Sequence, residues 1–336
     1  MICLIGEEDS KRTIYMKKAA ETEKIPIEFL PWSKLNKPSG ARQLEGAVIK
    51  IDPPSFQTAC FDVMKNQLEQ YQRQLQNLQK INCGFLNSPE VIQLLLDKRE
   101  TKRQLQEKNI SVTRMFSEKI NHVEELLDSM KKKRCHSIFI KPRFFSGAAG
   151  VTAFRMHPAN GRMKLYTSSR LEKGQLVNTK KILFLEEDRE IKDLLEALLS
   201  MDCIVERWHP KAEFQGKSFD LRVVYQFGHV VHMVVRQSSG PITNLHLNNQ
   251  AMDIKELGLS LQQRIQIEEL CQQSEKAFEG FNMAGIDIML EKGSIRPLII
   301  EMNGQGDLIY QDIFGENRIY GEQIRKLQEK EGELLK

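Results

Sequence analysis

The stretch KPRFFSGAAG, residues 141–150, stands between two apolar runs, SIFI at 137–140 and VTAFRM at 151–156. Both runs have strand character. Between them lie a lysine, an apolar pair and a loop of small residues. A P-loop carries its lysine after the glycines and before a helix. Here Lys141 comes first and a strand follows, so that motif is excluded. Two readings remain. In one, the stretch is a β-turn and Gly147 and Gly150 only supply positive φ. In the other, a strand-end lysine and a loop close over a charged ligand. Gly and Ala give residues 144–150 little to pack, so the loop is expected to be mobile without a ligand.

The rest of the chain bounds what that ligand is. With 336 residues there is room for two or three domains, each with its own core. The 49 basic and 45 acidic residues leave a formal charge of +4, too balanced to imply nucleic acid. The one dense basic cluster, KKKR at 131–134, reads as the solvated end of a helix. Six cysteines, at 3, 60, 83, 135, 203 and 271, show no CxxC spacing and no accompanying histidine cluster. They read as reduced thiols of a cytoplasmic protein. MICLIG is cut short by Glu7, Glu8 and Asp9, so no signal peptide is expected there. No apolar run is long enough to span a membrane.

Along the chain, MICLIG (1–6), IPIEFLPW (25–32) and GAVIKI (46–51) read as strands, with a helix near 10–23. That order predicts a small α/β domain with a parallel sheet. A polar helix follows over 56–80. Its Phe61, Met64, Leu68, Tyr71, Leu75 and Leu78 form a heptad-like seam, too short for a free coiled coil. The seam suits packing on its own chain and leaves a homodimer contact open. Ser88-Pro89-Glu90 starts a helix, with Ser at the N-cap and Pro in the first turn. That helix buries Val91, Leu94 and Leu95 and carries Lys98 a turn further on. From 111 to 200 the pattern alternates through VTRMFS, a helix near 120–133, SIFIKPR, GVTAFRM, RMKLYTS and a helix at 186–200. The remainder is β-rich: CIVERW, FDLRVVYQF, HVVHMVVRQS, then a helix near 260–280 and a closing pair, AGIDIMLE and RPLIIEMN.

Polar residues gather where these strands end: Lys141, Glu206, Asp220, Arg222, Arg236, Asn244, His246, Asp287, Glu301 and Asn303. Asp220 and Arg222 share a strand face, as do Glu301 and Asn303. Asp220 with Arg222 reads equally as an ordinary surface ion pair, and Asp287 as a turn cap. Glu301 is different, because it follows LII in a strand that reads as buried. A buried carboxylate is costly unless it is paired or holds a cation. Asp287, Glu301 and Asn303 are the hard oxygen donors that Mg²⁺ or Mn²⁺ prefers, with the remaining ligands from phosphates and water.

In that order the motifs resemble those of the ATP-grasp ligases, in the branch with glutathione synthetase and the ribosomal-protein glutamate ligase. They are also similar to spore-coat-associated ATP-grasp proteins and to ATP-grasp proteins acting on ribosomal peptides. The matching stretches are DK at 97–98, FIKPRFFSGAAGV at 139–151, CIVERW at 203–208, FDLR at 219–222, R…NLH at 236–246, GIDI at 285–288 and IEMN at 300–303. They cover residues 83 to 305. The resemblance implies an α/β (α+β) ATP-grasp fold led by a Rossmann-like domain. Its parts would be 1–82, a lid-bearing 83–200 and a β-rich 201–336, with ATP between the last two. Lys98 and Lys141 would hold phosphates. Ser146, Gly147 and Gly150 would belong to the loop that closes over them. Glu206 and Arg207 would form the hinge whose backbone reads adenine, with Glu213 at the ribose. Asp287, Glu301 and Asn303 would bind Mg²⁺. Arg222 and Arg236 would stabilise the transferred phosphoryl group.

The implied activity joins a carboxylate to an amine of an amino acid or peptide. Kinase-like transfer and a nucleotide-binding scaffold stay open beside it. Two stretches depart from the family's usual pattern: Asn248-Asn249 in place of a glycine pair, and GQGDLIYQD after Asn303. Both border the acceptor side, so the substrate does not follow from the named relatives. His246, Asp307 and Tyr310 are candidates for substrate contact there, or ordinary loop residues.

Overall fold

A computed structural model describes residues 1–35, 43–56, 58–247, 249–306 and 317–334, without the side chains of Lys180 and His246. The leading unit is a parallel four-stranded sheet, β2-β1-β3-β4. Its strands are β1 (Ile2–Gly6), β2 (Glu28–Pro31), β3 (Val48–Ile51) and β4 (Gly84–Phe85). Every residue of β1 and β3 is buried. Cys3 and Ile5 enter one core and Ile2 and Leu4 another, because the sheet is covered on both faces. That burial explains the unbroken apolar runs in these strands. Helix α1 (Lys11–Glu23), capped by Ser10, lies on one side, and the short α2 (Trp32–Leu35) follows β2.

Helix α3 (Phe61–Leu78) buries all six residues of the expected seam inside this same chain. Tyr71 meets Trp32 edge to face at 5.3 Å, and Phe61 meets Phe145 at 5.5 Å. The helix thus joins the leading sheet to the middle of the chain in one continuous core. Ser88 caps α4 (Pro89–Leu96) as expected. Its buried residues are Pro89, Val91, Ile92 and Leu95, whereas Leu94 is only partly covered.

Lys98 does not continue that helix. Asp97 leaves helical geometry and its carboxylate accepts from the N–H groups of Arg99 and Glu100. A second helix, α5 (Lys98–Glu107), therefore begins at Lys98. The expected strand VTRMFS is also different. It forms two isolated bridges, Val112 to Ile299 and Met115 to Glu206, and so straps two sheets together.

The middle unit has α5 followed by α6 (Val123–Lys132) and an antiparallel sheet ordered β8-β7-β6-β5-β9. Its strands are β5 (Ser137–Pro142), β6 (Thr152–Met156), β7 (Met163–Glu172), β8 (Gln175–Leu185) and β9 (Cys203–Arg207), with α7 (Asp188–Leu199) before β9. Strand β8, with polar residues on much of its length, went unread in the sequence. The third sheet runs β13-β12-β11-β14-β15, with β10 paired to β11. It comprises β10 (Glu213–Phe214), β11 (Lys217–Gln226), β12 (His229–Ser238), β13 (Gln250–Asp253), β14 (Met283–Leu290) and β15 (Pro297–Asn303). Helix α8 (Leu261–Glu275) covers one face through Ile267, Leu270 and Cys271. The final helix, α9 (Arg318–Leu334), returns to the leading unit and packs Ile319, Ile324 and Leu327 in one core with β1 and α1.

The loop after Lys141 is better anchored than its composition suggests. Phe145 and Ala149 are buried, and only Ser146 and Gly147 are fully exposed. Ser168 Oγ donates to the carbonyl of Ala148 at 2.7 Å. All six cysteines are free thiols. Among the described residues no helix is long and apolar enough to cross a membrane.

The two loop glycines should respond differently to alanine. Gly150 has φ +72°, and a Cβ there would lie 2.5 Å from Pro142 Cγ, a ring that cannot rotate away. Gly147 has φ +67° but open space around it. Gly147→Ala should therefore lose only the left-handed backbone penalty of about 1–2 kcal/mol. Gly150→Ala should lose more, by about 1–3 kcal/mol of added strain. Urea midpoints of the two variants check the order, and equal midpoints would contradict it.

Candidate active site

A cleft of about 260 Å³ lies between the middle and third sheets and opens toward the leading unit. Its walls include Lys141, Ser146, Gly147, Glu206, Arg207, Asp220, Arg222, Arg236, Asp287, Glu301 and Asn303. Most of the residues singled out in the sequence are thus brought to one place.

The third sheet supplies a ladder of alternating charge. Its register sets Asp220 opposite Arg236, and Arg222 opposite Asp287. Asp287 in turn sits opposite Glu301, and Gly285 opposite Asn303. Arg236 Nε donates to Asp220 Oδ1 at 2.7 Å, and its Nη2 lies 3.0 Å from Asp287 Oδ2. Arg222 Nη1 stands 3.0 Å from Asp287 Oδ1 and donates to the carbonyl of Gly285 at 3.0 Å. Asp220 and Arg222 therefore do not pair with each other. A bulge after Asp287 leaves Ile300 as the extra residue of β15, so Ile300 and Glu301 both line the cleft.

Lys211 was not anticipated. Its ammonium is 3.0 Å from Asp220 Oδ2 and donates to Thr243 Oγ1 at 2.6 Å. Burial pulls its pKa below the ordinary value, with the Asp220 charge opposing. Burial alone would push the Asp220 carboxyl up, but Arg236 and Lys211 hold it well below the usual range.

The middle sheet supplies a second cluster. Glu206, 2% exposed, lies between Lys102 (2.7 Å) and Lys141 (3.0 Å), and Thr113 donates to it at 2.9 Å. Burial raises the Glu206 carboxyl, yet Lys102 and Lys141 outweigh it and bring it down to about 2. Burial likewise lowers the Lys102 ammonium to about 8 against the opposing charge of Glu206. Lys102 went unnoticed, although it lies four residues from Lys98 on one helix face.

Several anticipated residues lie elsewhere. Lys98 stands behind the cleft wall, donating to the carbonyl of Phe145, with Glu301 Oε1 3.9 Å away. Burial lowers its pKa. Gly150 supports the loop against Pro142 rather than lining the cleft. Glu213 is exposed and pairs with Lys292 at 2.8 Å. The N–H groups of Arg207 and Trp208 already donate to Arg114 and Ser137 carbonyls, at 2.8 and 3.0 Å. Asn248, Asp307 and Tyr310, and the side chain of His246, lie outside the described residues.

The donor set fits a hard divalent cation. Asp287 Oδ1 is buried and has no aligned hydrogen bond. With the Asn303 amide turned to suit its neighbours, its nitrogen donates to Glu301 Oε1 at 3.1 Å and its oxygen accepts from Arg222 at 3.3 Å. Among the described residues no group of three or more His, Cys, Asp or Glu could hold a metal alone. Two carboxylates and an amide suit Mg²⁺, which keeps waters and takes phosphate oxygens.

Three layers arranged in this way, with a cleft between two antiparallel sheets behind a parallel leading domain, make the ATP-grasp fold. Solved structures of ATP-grasp ligases superpose on nearly the whole chain. D-cycloserine synthetase DcsG matches at TM-score 0.63 and 12% identity, over 97% of this chain and 99% of that one. The macrocyclase MdnC from Microcystis aeruginosa MRC, bound with precursor peptide MdnA, matches at 0.59 and 12%, over 98% and 100%. The ATP-grasp ligase PsnB, complexed with minimal precursor, Mg and ADP, matches at 0.58 and 12%, over 98% of each chain. No protein-family model and no curated protein matches the sequence.

The Glu206 cluster predicts a pH effect on stability. Its folded pKa lies below the ordinary carboxylate value, so the contribution is present above about pH 4.5 and is lost as pH falls toward 2. By linkage that contribution is about 3 kcal/mol. Glu206→Gln should be much less stable than the parent at pH 6, and the gap should narrow at pH 3. Denaturant midpoints at both pH values measure it, and a gap independent of pH would contradict the ion-pair account.

Proposed function

We propose that the protein is an ATP- and Mg²⁺-dependent ligase that joins a carboxylate to an amine, the substrate being an amino acid or a peptide. The observation that carries this reading is the convergence on one cleft of Lys141, the Ser146–Gly147 loop tip, Arg222, Arg236, Asp287, Glu301 and Asn303. ATP supplies a phosphoryl group, held with Mg²⁺, that turns a poor oxide leaving group into phosphate. The chain's own part is positioning and charge neutralisation.

In this reading Lys141 exchanges part of its contact with Glu206 for phosphate oxygens, while Lys102 keeps Glu206 compensated. Lys98 steadies the loop through the Phe145 carbonyl and adds positive charge behind Glu301. Asp287, Glu301 and Asn303 hold the metal, and Arg222 and Arg236 face the transferred group. A carboxylate oxygen bonds to the γ-phosphorus as the bond to ADP breaks. The amine nitrogen then bonds to the acyl carbon, phosphate leaves, and the amine loses a proton. Adenine lies toward Phe139, Arg207 and His209, whereas Glu213 pairs with Lys292 outside the cleft lining. The ATP-grasp ligases of similar structure bound to a minimal precursor or a precursor peptide support a peptide or amino-acid substrate. The three parts 1–82, 83–200 and 201–336 serve as leading, lid and metal-bearing domains, with β9 and α9 returning to the earlier parts. Free thiols throughout suit the reducing cytoplasm.

A screen of carboxylate and amine pairs for ADP and phosphate release tests the proposal; a phosphorylated final product would point to a kinase instead. Lys141→Ala should weaken nucleotide binding by about 1.5–3 kcal/mol, the worth of a charge-assisted bond. Glu301→Gln should keep nucleotide binding but lose nearly all ADP formation, since its charge serves the metal. A fully active Glu301→Gln protein would remove the metal role.

A further inference from the structure

The leading domain adds one cation to the cleft that neither charge cluster uses. Arg12, near the start of α1, lines the cleft together with Pro53, Gln305 and Gly306. Among the described residues it forms no ion pair. Its Nη1 donates to the carbonyl of Gln305, and among the described residues the remaining N–H groups of the guanidinium have no protein acceptor. By contrast Arg222, Arg236, Lys141 and Lys211 each face a carboxylate in the same cleft.

Arg12 is held in place by a built arrangement. Gln305 Oε1 accepts from Tyr71 Oη at 2.7 Å, and its Nε2 donates to the carbonyl of Ile51 at 2.8 Å. Asn87 Nδ2 donates to the neighbouring Gly304 carbonyl at 2.8 Å. Gln305 lies in GQGDLIYQD, the stretch that departs from the pattern of the ligases the sequence resembles. Gln305 thus ties the end of β15 to the leading sheet and holds Arg12 at the cleft.

A buried ion pair lies beside Arg12. Lys50 is 4% exposed and pairs with Asp52. Asp52 Oδ2, in a residue 3% exposed, has no hydrogen-bond partner among the described residues. Lys50, Asp52 and Gln305 line a void of about 10 Å³ beside the cleft. Burial first, with the Arg12 charge a smaller cause, holds the Lys50 ammonium below its ordinary value despite Asp52. Asp52 is thus taken by Lys50, and among the described residues no carboxylate pairs with Arg12.

We propose that Arg12 is a substrate-binding residue, the anchor of a subsite for a carboxylate other than the one that is activated. The guanidinium fork matches a carboxylate in two parallel hydrogen bonds. This deepens the ligase reading by naming the substrate class: one reactant carries an additional free carboxylate. That group belongs either to a dicarboxylic donor or to the α-carboxyl of an amino-acid amine partner.

Binding rather than turnover tests it, so its outcome is separate from that of the ADP-release screen. The protein with ADP and Mg²⁺ is titrated calorimetrically with straight-chain dicarboxylates and their monoamides, and with α-amino acids and their α-amides. The free carboxylate should bind about tenfold or more tightly than its amide in one of the two sets, and that set identifies the source. Arg12→Gln should abolish the preference without changing ADP affinity, and Arg12→Lys should restore part of it. No preference in either set, or a preference that survives in Arg12→Gln, overturns the proposal.

Discussion

Asp287 cannot stand in the third sheet without the two guanidiniums that flank it. A carboxylate buried in a strand must be compensated, and removing one partner of such a pair commonly costs about 3–5 kcal/mol. Arg222 and Arg236 meet that need from β11 and β12, and Arg236 is itself compensated by Asp220. Asp220 draws in Lys211 and Thr243. The chain of compensation runs across β12, β11, β14 and β15, so it is satisfied in one register only. A slip by one residue would turn every one of these side chains to the opposite face. The requirement that stabilises the sheet also sets Glu301 and Asn303 beside Asp287.

The same constraint operates in the middle sheet on a smaller scale. Glu206 is buried on β9 because Lys102 and Lys141 approach it from α5 and β5. The strap at 111–116 joins this cluster to β15, bonding to Ile299 at one end and to β9 at the other. Thr113 lies on the strap and donates to Glu206. The cleft is the space left between two sheets that are each closed by their own charges. An anion entering it would meet cations already held in position.

Much of this was legible in the sequence wherever a strand ended in a charged residue. Lys141, Glu206 and Glu301 each follow an apolar run near a strand end, while Arg222 and Asp287 lie inside β11 and β14, where strand period determines which residues share a face. The seam of α3 was legible because its six apolar residues keep helical spacing. Less visible were residues whose role depends on contacts distant in sequence. Lys211 precedes a two-residue strand and carries no local signal. Arg12 is an ordinary polar residue of α1 until α3, β3 and the turn after Asn303 come together around Gln305. The break at Asp97 was hidden because the helical pattern resumes at once, with Asp97 serving as the new cap. Loop 144–150 was read as loose from its small residues, whereas Phe145 reaches Phe61 on the distant α3.

A crystal structure of the protein with Mg²⁺ and a non-hydrolysable ATP analogue tests the central claim most directly. The account predicts one nucleotide in the cleft between the middle and third sheets, its phosphates contacting Lys141 and a Mg²⁺ ion held by Asp287, Glu301 and Asn303. A nucleotide bound elsewhere, or one in the cleft whose phosphates point away from both Lys141 and Glu301, would contradict it.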